Sequence, residues 1–123
     1  MKKWIVTMVA MVSVFGLVAC VPLGMSDKIY DFGIKAINVT DKYLDADLTL
    51  DEAHTEIRDI ENQVFEIFGG SSEKDYAAYN LIACLGIEFE NMLPYSDGAF
   101  KGTDEEALRL RNSLAEELGV KKR

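Results

Sequence analysis

Past residue 26 the apolar residues of this chain recur at intervals of three and four, the period of a helix that buries one face. The clearest stretch holds Leu50, Ala53, Ile57, Ile60, Val64 and Ile67. Thr49 opens it and Glu52 stands three places on, the T-x-x-E pattern in which hydroxyl and carboxylate cap each other's backbone N–H groups. Gly69 and Gly70 close it, since glycine takes the left-handed turn that ends many helices. An earlier helix is predicted from Asp27 to about Ala46, with Ile29, Phe32, Ile34, Ala36, Ile37, Val39, Tyr43 and Leu44 forming a wide apolar face. Gly33, Val39 and Thr40 weaken its intrinsic propensity.

Ser72 can cap a third helix running to about Leu93, with Ala78, Ile82, Leu85, Phe89 and Met92 on one stripe. Its middle, AAYNLIACLGI, is apolar on nearly every side and so predicts the most buried helix of the set. Pro94 stops it, and PYSDGAFKG reads as a loop. Thr103 and Glu106 repeat the T-x-x-E pattern and open a last helix with Leu110, Leu114 and Leu118 on one face. The tail Lys121, Lys122 and Arg123 is expected at the negative end of that helix's dipole. With links of about three, three and ten residues, the simplest architecture is all-α, a small antiparallel bundle of about four helices over residues 27–123. No alternating strand pattern or internal repeat competes with it.

The first twenty residues, MKKWIVTMVAMVSVFGLVAC, follow a different rule. Lys2 and Lys3 form a short positive segment, and Trp4 to Ala19 is an uncharged apolar run of 16 residues. That layout is a secretory signal, and the run is shorter than the roughly 20 residues of a spanning helix. Leu17, Val18, Ala19 and Cys20 resemble a bacterial lipobox at all four positions. The resemblance implies a diacylglyceryl group on the Cys20 thiol and cleavage between Ala19 and Cys20. It also implies anchoring to membrane lipid through Cys20, because about 0.8 kcal/mol per buried CH₂ makes one acyl chain marginal and two durable. An uncleaved anchor is the rival reading, since VPLGM extends the apolar stretch from Trp4 to Met25 if Pro22 is tolerated. Both place the domain on the extracytoplasmic face of the cell membrane or outer membrane. Val21, where some double-membrane bacteria read a retaining aspartate, favours the outer membrane in such a host.

Residues 1–19 are thus expected to leave as a signal peptide, with 20–26 (CVPLGMS) a lipidated tether of at most roughly 20 Å. The 104 residues from Cys20 to Arg123 suffice for one domain with one core. The formal charge of the whole chain is -8, from 13 basic and 21 acidic residues. Losing Lys2 and Lys3 leaves 11 against 21, or -10, so no nucleic-acid partner is expected. With Cys20 acylated, Cys84 has no disulfide partner and reads as a buried, inert thiol among Leu81, Ile82, Leu85 and Ile87.

Candidate chemistry is sparse. In DADLTLDEAHTE, Asp45, Asp47, Thr49 and Glu56 fall at positions one, three, five and twelve of a calcium-binding EF-hand loop. Leu50 stands where that loop needs glycine, and Glu52 where it needs an apolar residue, so a capped helix connection explains the same residues. His54, the one histidine, sits at the margin of the second helix's stripe with no metal-ligand spacing around it. No G-x-S-x-G elbow accompanies it, and no catalysis or cofactor is expected. The sequon Asn38-Val39-Thr40 falls mid-helix and reads as chance. Tyr95, Asp97 and Phe100 lie in the longest loop, where aromatic residues favour contact with a partner. The expectation is therefore a lipid-anchored module that binds an envelope protein or serves a structural role. Divalent-cation binding at the acidic turn is one alternative. Another is protection of the host cell, as in phage-exclusion or bacteriocin-immunity proteins, some of which are small and membrane-associated.

Overall fold

The computed structural model describes residues 21–68, 72–98 and 100–123. Ala19 and Cys20, with the whole signal segment, and the glycine pair after the second helix lie outside the described residues. Four helices pack together, α1 (Asp27–Leu44), α2 (Leu50–Ile67), α3 (Glu73–Met92) and α4 (Asp104–Leu118), and no strand occurs among the described residues. α1 touches the other three helices, whereas α2 and α4 stand on a diagonal and do not meet. The small helical bundle read from the periodicity is the observed fold.

Each helix begins where a short polar side chain can satisfy the free N–H groups of the first turn. Thr49 and Glu52 form the full reciprocal box, with Glu52 N–H donating to Thr49 Oγ1 at 3.2 Å and Thr49 N–H to Glu52 Oε1 at 3.0 Å. Ser72 accepts from Asp75 N–H at 3.0 Å. The second T-x-x-E pattern closes only halfway. Thr103 Oγ1 accepts from Glu106 N–H at 3.1 Å, but Thr103's own N–H donates to Glu88 Oε1 of α3 at 2.8 Å, and Glu106 turns instead to Arg109. A carboxylate from the neighbouring helix has taken the local partner's place.

The core runs between the helices through Ile29, Tyr30, Ile37, Ile57, Val64, Ile82, Leu85, Phe89, Leu114 and Leu118. Gly33, read as a weak point of α1, is a close-approach site: a Cβ there would stand 2.8 Å from Leu118 Cδ1. Ile67 departs from the predicted stripe and is exposed in the last turn of α2.

α3 differs most from its sequence reading. Cys84 is exposed, not buried, and Ile87 is half exposed. Glu73, Asn80, Cys84 and Ile87 recur at helical spacing on the side away from the core, opposite the buried Ala78, Ile82, Leu85 and Phe89. A run that is apolar all round carries no phase, so periodicity alone could not say which side faces out.

The tail after α4 also departs from expectation. Gly119 adopts φ 72° and reverses the chain, after which residues 120–123 run back along α4. Arg111 Nη1 donates to Lys121 O at 2.9 Å, and Asn112 exchanges two hydrogen bonds with the Arg123 backbone. Lys122 pairs with Glu116 at 3.1 Å, but Arg123 reaches across to Asp41 and Asp45 of α1's C-terminal end. The pull of two carboxylates at close range outweighs the half-charge of a helix end.

Candidate functional site

The antiparallel order gives the bundle two unlike ends. One holds the start of α1, the end of α2, the start of α3 and the end of α4. There Ser26 N–H donates to the buried carboxylate of Asp75 at 2.8 Å, tying the entry of α1 to the first turn of α3. Asp75 sits three places after Ser72, where a local capping partner would be expected, and serves this distant N–H instead. Residues 21–26 are folded onto this end and do not hang as a free tether. Met25 is buried, Val21 packs against the core, and Met25 N–H donates to Pro22 O at 3.1 Å across a turn in which Gly24 takes φ 87°.

The other end holds the acidic α1–α2 turn and the α3–α4 loop, joined by Tyr43. Its hydroxyl donates to Asp104 Oδ1 at 2.6 Å, and its ring meets Phe89 edge-on at 5.2 Å. Burial first, then the Asp104 carboxylate, pushes the Tyr43 phenol up to about 12.

The four residues of the EF-hand-like spacing are not brought together. Asp45 is engaged by Arg123, whose guanidinium hydrogen bond holds its carboxyl below the usual aspartate value. Thr49 is spent on the helix cap. Asp47 lines a hollow with Leu48 and Asp104, while Glu56 lines a separate groove between α1 and α2 with Lys35, Lys42 and Asp59. Among the described residues no group of three or more His, Cys, Asp and Glu side chains could hold a metal ion. His54 is half buried, with Nε2 enclosed and without a hydrogen-bond partner among the described residues.

The loop of residues 93–103 is pinned at both feet. Leu93 is buried, and Ser96 N–H donates to its carbonyl at 3.1 Å. Gly102 N–H donates to Asn91 O at 3.3 Å, next to the Thr103–Glu88 bond. Between these feet Tyr95 is 70% exposed, Phe100 is 81% exposed, and Asp97 also faces solvent. Tyr95 and Asp97 share a hollow with Glu90, Asn91, Ser96 and Gly98, and Phe100 is not part of its lining. The loop is thus a held surface with two uncovered aromatic side chains, flanked by exposed Asp97 and Lys101, while Glu90 is paired with Arg58.

Arg111 was missed by sequence reasoning. It is only 7% exposed and grips Asp41 with two bonds, Nε to Oδ1 at 2.8 Å and Nη2 to Oδ2 at 3.0 Å. The partners are 70 positions apart, so no local pattern announces the pair.

No known family pattern matches the chain, and no curated protein or solved structure is similar to it. Among the described residues no helix is long and apolar enough to cross a membrane.

Proposed function

We propose that this protein is a lipid-anchored module of the cell envelope that acts by binding another protein through the loop of residues 93–103. The anchor rests on the lipobox-like Leu17-Val18-Ala19-Cys20 and the signal layout before it. The observation that carries the binding role is the exposure of Tyr95 and Phe100 on a loop fixed at both feet. Exposed aromatics on a pre-organised loop offer large contact area with little ordering cost. Position supports the same reading. The loop stands at the end of the bundle opposite Val21, about 27 Å away for an 18-residue helix at 1.5 Å per residue. A chain held at residue 20 would present it away from the bilayer. Asp97 and Lys101 flank the aromatics with opposite charges, so an apolar contact dominates the recognition.

The test is a photo-crosslinking amino acid placed at Tyr95 or Phe100 in intact cells. One discrete adduct with an envelope protein is expected, with none from the same probe at Glu66, at the other end of the bundle. Failure of both loop positions to give an adduct would overturn the binding role. A protective role against phage or bacteriocin is a narrower version, and unchanged sensitivity on gene deletion would remove it.

A further inference from the structure

The end of the bundle where the chain enters at Val21 carries exposed apolar side chains that the fold leaves uncovered. Leu23, at the tip of the docked turn, is 95% exposed; Phe65 and Ile67, in the last turn of α2, are 70% and 42% exposed; and Tyr76, in the first turn of α3, is 56% exposed. Behind them Phe68 stacks on Tyr79 with centroids 5.1 Å apart and leans on Tyr76 at 6.2 Å. Phe65 shares the α2–α3 side of this end by helical phase, while Ile67, two residues and about 200° further round α2, lies on its α1 side. Phe65 lies seven residues, two turns, beyond Arg58, which pairs with Glu90 of α3, so both side chains follow the α2–α3 seam.

We infer that this end is a seat for the lipid bilayer, with Leu23, Phe65, Ile67 and Tyr76 entering the headgroup and upper acyl region. The inference rests on the anchored reading above. Its occupant is argued from where the chain goes. The apolar run Trp4 to Ala19 and the lipobox-like Cys20 directly precede Val21. Val21 is itself packed against the core, and the Ser26–Asp75 bond fixes the segment that follows. Whether Cys20 carries acyl chains or the run stays in the membrane, the bilayer is therefore brought to this end and not to the loop end. Tyrosine at such a boundary buries its ring and keeps its hydroxyl wet, which is why Tyr and Trp are enriched at headgroup depth.

The charges at this end are mixed and give no purely electrostatic contact. Asp27, Glu66 and Glu73 are exposed there, and so are Lys28 and Lys74, the latter next to the docked turn at Gly24 and 3.8 Å from Glu117. Apolar insertion alone must hold the seat, and it needs the neighbouring anchor to keep it at the surface. Seating should accordingly occur on zwitterionic lipid and be insensitive to salt.

The experiment uses the full chain with Trp4→Phe, so that one introduced tryptophan reports. Three versions carry Phe65→Trp, Tyr76→Trp or, at the far end, Tyr95→Trp. Each is reconstituted into phosphatidylcholine vesicles with and without bromine on the acyl chains. Since an interfacial side chain sits roughly 5–10 Å into the boundary, bromine should reduce emission about twofold for the first two chains and by less than about a tenth for the third. Vesicle-bound protein in which Phe65→Trp and Tyr76→Trp are quenched no more than Tyr95→Trp overturns the seat and leaves the anchor standing. Equal quenching of all three also overturns it, because the domain would then lie on its side. A chain that fails to float with vesicles sinks the anchor and the seat together. A patch covered by a second copy would give a disulfide dimer through Phe65→Cys in a chain that also carries Cys84→Ser, in place of quenching, and that result too would overturn it.

Discussion

Gly102 and Gly33 both occupy crowded places in this bundle, and the same substitution should affect them differently. At Gly102 an added Cβ would collide with the Glu88 carbonyl and stand 3.0 Å from the Met92 backbone nitrogen and 2.7 Å from Met92 Cγ. Two of these obstacles are main-chain atoms of α3, which side-chain rotation cannot remove. The chain can relieve Gly102→Ala only by lifting residue 102 away, which gives up the Gly102–Asn91 bond and the Thr103–Glu88 bond. At about 1 kcal/mol for a neutral hydrogen bond and about 1.5 for one to an exposed carboxylate, the loss is about 2.5 kcal/mol. At Gly33 the obstacles are the Leu118 methyls, at 2.8 and 3.0 Å. Leu118 is fully buried, so it yields only in part, but α1 gains about 1 kcal/mol from alanine in a helix interior. Overpacking of about 1–2 kcal/mol leaves Gly33→Ala within about 1 kcal/mol of wild type. Urea unfolding followed by helical circular dichroism measures both, with the slope checked for constancy. Gly102→Ala within about 0.5 kcal/mol of wild type, the range of an ordinary surface substitution, would refute the reasoning. So would a rescue of Gly102→Ala by Met92→Ala, since that would make the side chain, not the backbone, the obstacle.

Arg111→Ala should cost about 2–3 kcal/mol in the same assay, below the full loss for a buried pair because Asp41 keeps Arg123 at 3.4 Å and is partly solvated. A cost near zero would show that the Arg111–Asp41 grip does not support the bundle. Tyr43 is protonated in the fold up to about 12, against an ordinary 10.0. Its contribution is therefore complete below pH 10 and lost as pH rises towards 12, so Tyr43→Phe should flatten the alkaline fall in stability, and parallel curves would contradict this. Glu52 is held below the ordinary 4.5 by the Thr49 N–H and hydroxyl. It stabilises the fold above pH 4.5 and loses that effect as pH falls through its lowered value. Glu52→Gln, which can still cap but carries no charge, should lower neutral-pH stability by the amount it removes from the acid limb, and an unchanged acid limb would be the wrong result.

The four helices were legible because their signals are local. Thr49 and Glu52, or Ser72 and the stripe behind it, lie within one or two turns of what they determine. The misreadings arose where the deciding partner was distant or the pattern had no phase. Arg111, Arg123 and Asp41 meet across 70 and 82 positions. Cys84 reads as core because its neighbours are apolar in every direction, and only packing decides that Ala78 and Ile82 face in. The turn after α1 passes through Ala46 at φ 63°, a conformation for which glycine or asparagine is the usual sign. The candidate loop was legible from Pro94 and its composition, but its pinning by Glu88 and Asn91 was not. The apolar end had no sequence signal of its own, because Leu23, Phe65, Ile67 and Tyr76 come to one end of the bundle only through the antiparallel order of the helices.

Metabolic labelling with radioactive palmitate tests the central claim most directly. Wild type, Cys20→Ser and Cys84→Ser are compared in a bacterial host, the last serving as control because Cys84 is exposed. The account predicts label on wild type and Cys84→Ser and none on Cys20→Ser, which should also keep its signal segment. No label on wild type, or label undiminished by Cys20→Ser, would contradict it.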